Sequence, residues 1–372
     1  MGGRRILITG GAGFIGSHLA DHLLARGDQV RALDVLSPQV HGERAHRPAY
    51  LDEAVELLVG DVRDPDMVRR ALRRVDAVVH LAAVEGVGQS MYEVERYVAV
   101  NGLGTAVLLQ ALIQTPVERL VVASSMCLYG EGLYLDAAGR IVPAERTREQ
   151  LLGRRWEPLG PGGEALRPVP TPESKAPSLA SIYALSKLDQ ERMCLLVGEA
   201  YGIPTTALRL FNVYETRQAL SNPYTGVLAI FAARLLNGRP PLVHEDGLQR
   251  RDFVSVHDAV RACRLALDAG AAAGEVLNVG SGRSATVLEV ARKLARALGR
   301  EQVEPEVTGR WRVGDARHCF ADVSRARSVL GYEPEVTLDE GLAELGAWLE
   351  GQSAHDRVVE ASAELSARGL SL

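Results

Sequence analysis

A short apolar run, Ile6-Leu7-Ile8-Thr9, meets Gly10-Gly11-Ala12-Gly13-Phe14-Ile15-Gly16, and a helix-like stretch follows from Ser17 to Arg26. The run reads as a buried parallel strand. Glycines at this spacing between a strand and a helix leave the chain few options. Gly10 permits a tight turn, Gly13 lets backbone approach a ligand closely, and Gly16 lets the helix pack on the strand. The unpaired N–H groups at the helix start, where Phe14 and Ile15 stand, suit a phosphate. Strand, glycine turn and helix in this order form a dinucleotide fingerprint and predict a βαβ unit holding a pyrophosphate.

The next strand, Gln29–Leu33, ends in Asp34. A carboxylate there can accept from both adenosine ribose hydroxyls and repels a 2′-phosphate, which predicts NAD over NADP. Val55–Val59 reads as a third strand, followed by Gly60-Asp61-Val62, where Asp61 is placed to accept from the adenine amino group. Ala77–His80 is a fourth and opens into Leu81-Ala82-Ala83, small residues against which a cofactor can lie. Leu120–Ala123 is a fifth, ending in Ser124-Ser125. The alternation of strand and helix predicts a parallel sheet with ligands at the carboxyl ends of its strands.

Tyr183 and Lys187 are four residues apart on a predicted helix and share a face. An ammonium beside a phenol favours phenolate, which predicts a pKa below the usual ~10 and a base for a sugar hydroxyl. The chain has 42 Lys plus Arg, of which only Lys175, Lys187 and Lys293 are Lys, so a Lys at this position stands out.

The net charge of −5 and the absence of a basic block argue against a nucleic-acid surface. No apolar run is read as a membrane span and no signal peptide as a leader, so no membrane partner is expected. Cys127, Cys194, Cys263 and Cys319 are scattered with no C-x-x-C, a pattern of reduced thiols in a cytoplasm and of no zinc site.

With these pieces in order, the chain resembles the extended short-chain dehydrogenase/reductase family, and more narrowly its NAD-dependent nucleotide-sugar epimerases and dehydratases. The resemblance is carried by the glycine turn, Gly60-Asp61, His80-Leu81-Ala82-Ala83, Asn101-Gly102-Leu103-Gly104-Thr105, Ser124-Ser125-Met126-Cys127-Leu128-Tyr129-Gly130, Tyr183…Lys187, Arg209-Leu210-Phe211-Asn212, Arg250-Arg251-Asp252-Phe253-Val254 and Leu277-Asn278-Val279-Gly280. It implies a Rossmann-like doubly wound parallel sheet with a smaller mixed α/β C-terminal lobe for substrate. It also implies a catalytic set of Ser125, Tyr183 and Lys187, with Lys187 binding the nicotinamide ribose as well and Asn101 supporting the cofactor site. Cys127, Asn212, Arg251, Arg312 and Asp315 match positions around the sugar nucleotide, where arginine's fixed fork of donors suits a diphosphate. Related enzymes form a dimer bundle from helices near Asn101–Ile113 and Ser181–Ala200, which implies a homodimer.

Within the family, the chain is similar to the dTDP-L-rhamnose 4-epimerase-like and UDP-glucose 4-epimerase-like branches, through segments such as Ser221-Asn222-Pro223-Tyr224-Thr225-Gly226 and Arg317-His318-Cys319-Phe320-Ala321-Asp322. Dehydratases carry Asp-Glu after the catalytic hydroxyl, whereas this chain has Met126-Cys127. Simple 4-epimerisation of a dTDP- or UDP-hexose needs only the triad and is the expected reaction. One alternative is 3- or 5-epimerisation with Cys127 as base, since GDP-mannose 3,5-epimerases have a cysteine there and a Lys acid that matches Arg234. Decarboxylation of a UDP-uronic acid is another. An NADP-linked sugar reductase runs against Asp34, and a non-catalytic regulator against the intact triad. Two departures fall near the expected site: Glu215-Thr216 replaces the family's Gly-Pro, and Glu85 stands where galactose epimerases have a Lys.

Residues 1–212 are expected to form the NAD-binding domain, 213–350 a substrate lobe from which some strands return, and 351–372 a tail. Residues 131–180, rich in Gly, Pro and charge, read as an insertion, either a flap over the pocket or a solvated loop. The tail beyond the expected final helix, Leu338–Leu349, is polar and fits disorder or an added helix equally.

Overall fold

A computed structural model describes residues 3–43 and 46–372. Seven strands form one parallel sheet: β1 (Arg5–Thr9), β2 (Gln29–Asp34), β3 (Glu56–Val59), β4 (Ala77–His80), β5 (Arg119–Ser125), β6 (Thr205–Leu210) and β7 (Val276–Val279). Their order is β7-β6-β5-β4-β1-β2-β3, all parallel. The order reverses between β1 and β4, where the chain leaves for opposite edges, so a crevice opens at the carboxyl ends of those strands. The Rossmann-like sheet expected from the sequence is thus the fold observed.

The strands carry apolar residues on both faces because both are covered. Ile6 and Ile8 pack on one side with α1 (Phe14–Leu24) and with a helix from the second half, Val256–Asp268. Leu7, with Val78, Leu120 and Val122, packs on the other side against α2 (Val94–Gln114) and α3 (Ile182–Tyr201). By length and composition α2 is apolar enough to span a membrane, contrary to the reading of the sequence. Half of it is buried, and its Leu108, Leu109 and Leu112 sit in the core. A third core, around Phe231, Leu294 and Leu345, joins helices Val227–Leu236, Val287–Ala297 and Leu338–Leu349. The lobes interleave, since β7 lies far along the chain yet closes the edge of the main sheet.

The 131–180 segment is neither a flap nor a solvated loop. Leu133–Leu135 pairs antiparallel with Ile141–Pro143 and with Arg167–Val169. A buried ionic network ties this small sheet to the second lobe. Arg317 has no solvent exposure and reaches Glu157 at 2.5 Å, Asp246 at 2.6 Å and Glu245 at 2.9 Å. Arg146 joins Glu245 at 2.7 Å to Glu131 at 2.9 Å, and His318 meets Glu157 at 2.9 Å. Burial opposes ionisation of Glu157, but hydrogen bonds from His318 and Arg317, with the Arg317 charge, outweigh it and hold the pKa at about 2. A carboxyl depressed in this way adds stability above its unfolded pKa, and that contribution fades as pH falls from about 4.3 towards 2.

Removing one partner from a buried network leaves charges uncompensated. Arg317→Met should therefore lower unfolding stability by about 3–5 kcal/mol. Urea denaturation followed by circular dichroism measures this, and a loss below about 1 kcal/mol would show that the network is not a structural anchor.

Candidate functional site

At the β1–α1 turn Gly10 has φ of +70°, and a Cβ there would lie 3.0 Å from the Ala82 nitrogen. A Cβ on Gly16 would come within 2.3 Å of the Gly10 carbonyl. Only glycine permits this turn, which brings the start of α1 to the crevice at β4. Asp34, at the end of β2, accepts from Ala12 N at 3.0 Å and Leu36 N at 2.9 Å, so its carboxylate is fixed on the crevice wall. Asp61 also faces the crevice. Both its oxygens are gripped by Arg63, at 3.0 and 2.6 Å, so any bond to an adenine competes with that pair.

These groups line one cavity of about 860 Å³. Gly10, Gly13, Phe14, Ile15, Gly16, Asp34, Asp61, Val62, Leu81, Ala82 and Ala83 lie along it, and so do Ser125, Cys127, Tyr183, Lys187, Asn212, Arg251, Arg312 and Asp315. Asn101 does not line it. Asn101 is fully buried and bonds Val84 N at 2.8 Å, Val84 O at 3.1 Å and Ser186 at 2.9 Å, so it braces the Leu81–Val84 loop from behind.

The reaction end differs from the sequence reading in one respect. Tyr183 is not acidified by Lys187. Burial pushes its phenol well above the usual value, the Cys127 and Glu85 charges add to this, and Ser125 opposes it by hydrogen bonding. Lys187 is turned to Gln190 Oε1 at 2.8 Å. Gln190 in turn meets Thr105 at 2.8 Å and His80 at 3.2 Å, and His80 meets Thr9 at 2.7 Å. Burial lowers the Lys187 pKa to about 8. The sequence reading missed Gln190, whose signal was its place three residues after Lys187 on the same helix. It also missed Tyr97, whose ring lies edge-on to Tyr183 with centroids 6.3 Å apart.

Cys127 is a half-buried thiol with its pKa raised, first by desolvation. Its expected acid partner is elsewhere: Arg234 donates to Pro240 O at 2.5 Å and to Asp356 at 3.2 Å. Of the two departures, Glu85 lines the cavity and Glu215 does not. Glu215 has no exposure and φ of 152°, and burial raises its pKa to about 9, with Glu344 adding to the shift.

Arg251 donates to the carbonyls of Arg317 at 2.9 Å and Ala316, and Arg312 pairs with Asp315 at 2.8 Å. The tail closes this side. A helix at Val358–Ala367 places Val358, Ala361 and Leu365 on the cavity wall. Its last residues pair with 311–313, with Trp311 N to Leu372 O at 2.9 Å and Val313 N to Leu370 O at 3.0 Å. Arg368 lies 4.4 Å above the Tyr92 ring.

A doubly wound sheet with a glycine turn, an acidic residue after β2 and Tyr and Lys at the crevice defines an NAD-binding enzyme of the short-chain dehydrogenase/reductase type. The residues fit the cofactor, because the glycine turn leaves backbone open to the crevice and Asp34 offers a carboxylate rather than a cation. The model of the NAD dependent epimerase/dehydratase family matches residues 6–151 and 158–280, and the chain belongs to that family, with NAD as its cofactor. It is 37% identical over 353 residues to dTDP-L-rhamnose 4-epimerase of Burkholderia thailandensis, covering 93% of this chain and 95% of the relative. Among solved structures it is similar to UDP-glucose 4-epimerase of Thermotoga maritima with UDP-glucose, at 32% identity and TM-score 0.75 over 93% of this chain and 98% of that one. It is also similar to UDP-glucuronic acid 4-epimerase of Bacillus cereus with UDP-glucuronic acid and NAD, at 26% identity and TM-score 0.76 over 93% and 99%.

Because the tail walls the side that holds Arg312 and Asp315, ending the chain after Gln352 should raise KM for the sugar nucleotide about tenfold, worth about 1.4 kcal/mol. NAD affinity should change less than about twofold in titrations. Equal losses for both ligands, or no change in KM, would count against a wall specific to substrate.

Proposed function

We propose that this chain inverts C4 of a nucleoside-diphosphate hexose, dTDP- or UDP-linked, with NAD held throughout and no net redox change. One observation carries the reading: Ser125, Tyr183 and Lys187 share a cavity with Asn212, Arg251, Arg312 and Asp315. NAD held by the glycine turn, Asp34 and Lys187 would supply a reversible hydride acceptor for C4. Tyr183 takes the C4 hydroxyl proton, and Ser125 bonds the same oxygen. Lys187 binds ribose. Burial holds the Tyr183 phenol high and the Ser125 hydrogen bond opposes this, so proton transfer would depend on positive charge brought to this end on ligand binding. Asn212, Arg251 and Arg312 hold the sugar nucleotide, Asp315 fixes Arg312, and a cavity of this volume leaves a sugar ring room to turn over. The Cys127 alternative has less support, since desolvation keeps the thiol protonated and Arg234 is bonded away from the cavity.

The same reading divides the chain into an NAD-binding part (1–212), a substrate lobe (213–350) and a closing tail (351–372). Four free cysteines, Cys127, Cys194, Cys263 and Cys319, suit a reducing cytoplasm. Val98 and Leu103 on α2 and Leu185 and Leu196 on α3 are exposed apolar residues, which supports a homodimer built on these two helices. Light scattering at micromolar concentration should give twice the mass of one chain, and a monomer would remove the dimer from this reading.

Tyr183→Phe should lower turnover by ~10²–10⁴ and leave NAD bound. Proton NMR of the wild-type reaction in deuterium oxide should show no solvent deuterium in the product, because the same hydride returns. Deuterium at C3 or C5 would move the assignment to an enolising epimerase, and full activity in Tyr183→Phe would remove the base.

A further inference from the structure

One carboxylate on the cavity wall has no role in the reaction described above. Glu85 follows the Leu81–Val84 loop at the end of β4 and lines the cavity together with Ser125 and Tyr183. Its backbone is held from two sides. Tyr97 donates its hydroxyl to the carbonyls of Glu85 and Gly86, and Asn101 clasps Val84 at both N–H and carbonyl. The side chain is open to the cavity, and among the described residues its one side-chain hydrogen bond comes from Thr225 at 3.4 Å. No ion pair engages it among the described residues. The other charges on the wall are largely settled. Arg63 pairs with Asp61, Arg96 with Glu93 and Arg312 with Asp315, while Arg251 is turned to carbonyls. Glu85 and Lys187 act on each other, Glu85 acts on both Tyr183 and Cys127, and Arg251 and Asp315 also reach Cys127.

Resting on the 4-epimerase reading, we propose that Glu85 is a specificity-determining residue that restricts this site to nucleoside-diphosphate sugars uncharged at C6, with a hydroxymethyl or methyl group there, and excludes uronates. The reason is geometric. Chemistry at C4 puts the reacting oxygen at Tyr183, and C6 lies only two bonds from C4. A carboxylate at C6 therefore enters the part of the cavity where the charge of Glu85 acts on Tyr183. Like charges in a partly desolvated cleft cost roughly one to two orders of magnitude in affinity. A neutral ring suffers no such repulsion, and its hydroxyls can donate to the carboxylate in charge-assisted hydrogen bonds.

The test is calorimetric titration of NAD-loaded protein with UDP-glucose, UDP-glucuronic acid, UDP and dTDP. Wild type should bind UDP-glucose at least about tenfold more tightly than UDP-glucuronic acid. Glu85→Gln should bring the two within about threefold, mainly by tighter uronate binding, with UDP affinity unchanged as the sign of an intact site. Glu85→Lys should reverse the order. Equal binding of the two sugars by wild type, or an undiminished gap in Glu85→Gln, overturns the charge filter and leaves 4-epimerisation standing. Binding of none of the four ligands overturns the nucleotide-sugar reading itself and this proposal with it.

Discussion

A buried ammonium that forms no ion pair among the described residues organises the centre of this molecule. Lys187 is 4% exposed, and its direct hydrogen bond goes to Gln190. A charge in that position is costly unless polar atoms surround it. The chain answers with a relay of neutral groups, from Gln190 to Thr105 and His80 and on to Thr9. That relay crosses α3, α2, β4 and β1, so the elements that build the crevice are tied by the group that must work in it. His80 stays neutral, its pKa pushed down to about 3 by burial and then by the Lys187 charge. A cation whose pKa is itself lowered to about 8 is sensitive to whatever charge enters the cavity.

The same balance accounts for Tyr183. Its spacing to Lys187 predicted an acidic phenol, and the folded protein shows the reverse, because desolvation outweighs every neighbour. A helix can place two residues on one face, but it does not decide how much water they keep. Here Tyr97 packs edge-on to Tyr183, and the Leu81–Val84 loop and Cys127 line the same cavity. The site is then arranged so that charge supplied with the ligands has a large effect.

Beside the core that joins its helices, the second half of the molecule is tied to the inserted sheet by charge. Arg317 and Arg146 join the inserted antiparallel sheet to Glu245 and Asp246, and Arg146 also bonds the Asp315 carbonyl at 2.9 Å. The side of the cavity that holds Arg312 and Asp315 therefore rests on an ionic network, and the tail closes over it through backbone pairing with 311–313. This explains why a segment rich in Gly and Pro is ordered: Glu131 and Glu157 meet the buried guanidinium groups of Arg146 and Arg317, and Tyr134 and Leu166 are buried.

The sequence by itself determined the sheet, the glycine turn, the acidic residue after β2 and the identity of the residues that meet at the crevice. Each of these depends on short-range rules: apolar runs buried on two faces, a positive φ at Gly10, a helical spacing of four. It also marked Leu338–Leu349 as a helix, with the Thr337–Glu340 capping box that fixes its start. Tertiary structure alone decided that Asn101 braces a loop behind the cavity, that Arg234 serves the tail, that residues 131–180 are anchored and that the last residues form a wall. It also decided that Glu85 faces the reaction centre while Glu215 is buried away from it. Most of these partners are far along the chain: 122 residues separate Arg234 from Asp356, and 186 separate Glu131 from Arg317. Burial and pairing at such separations are set by how whole elements pack, and no local pattern of residues encodes them.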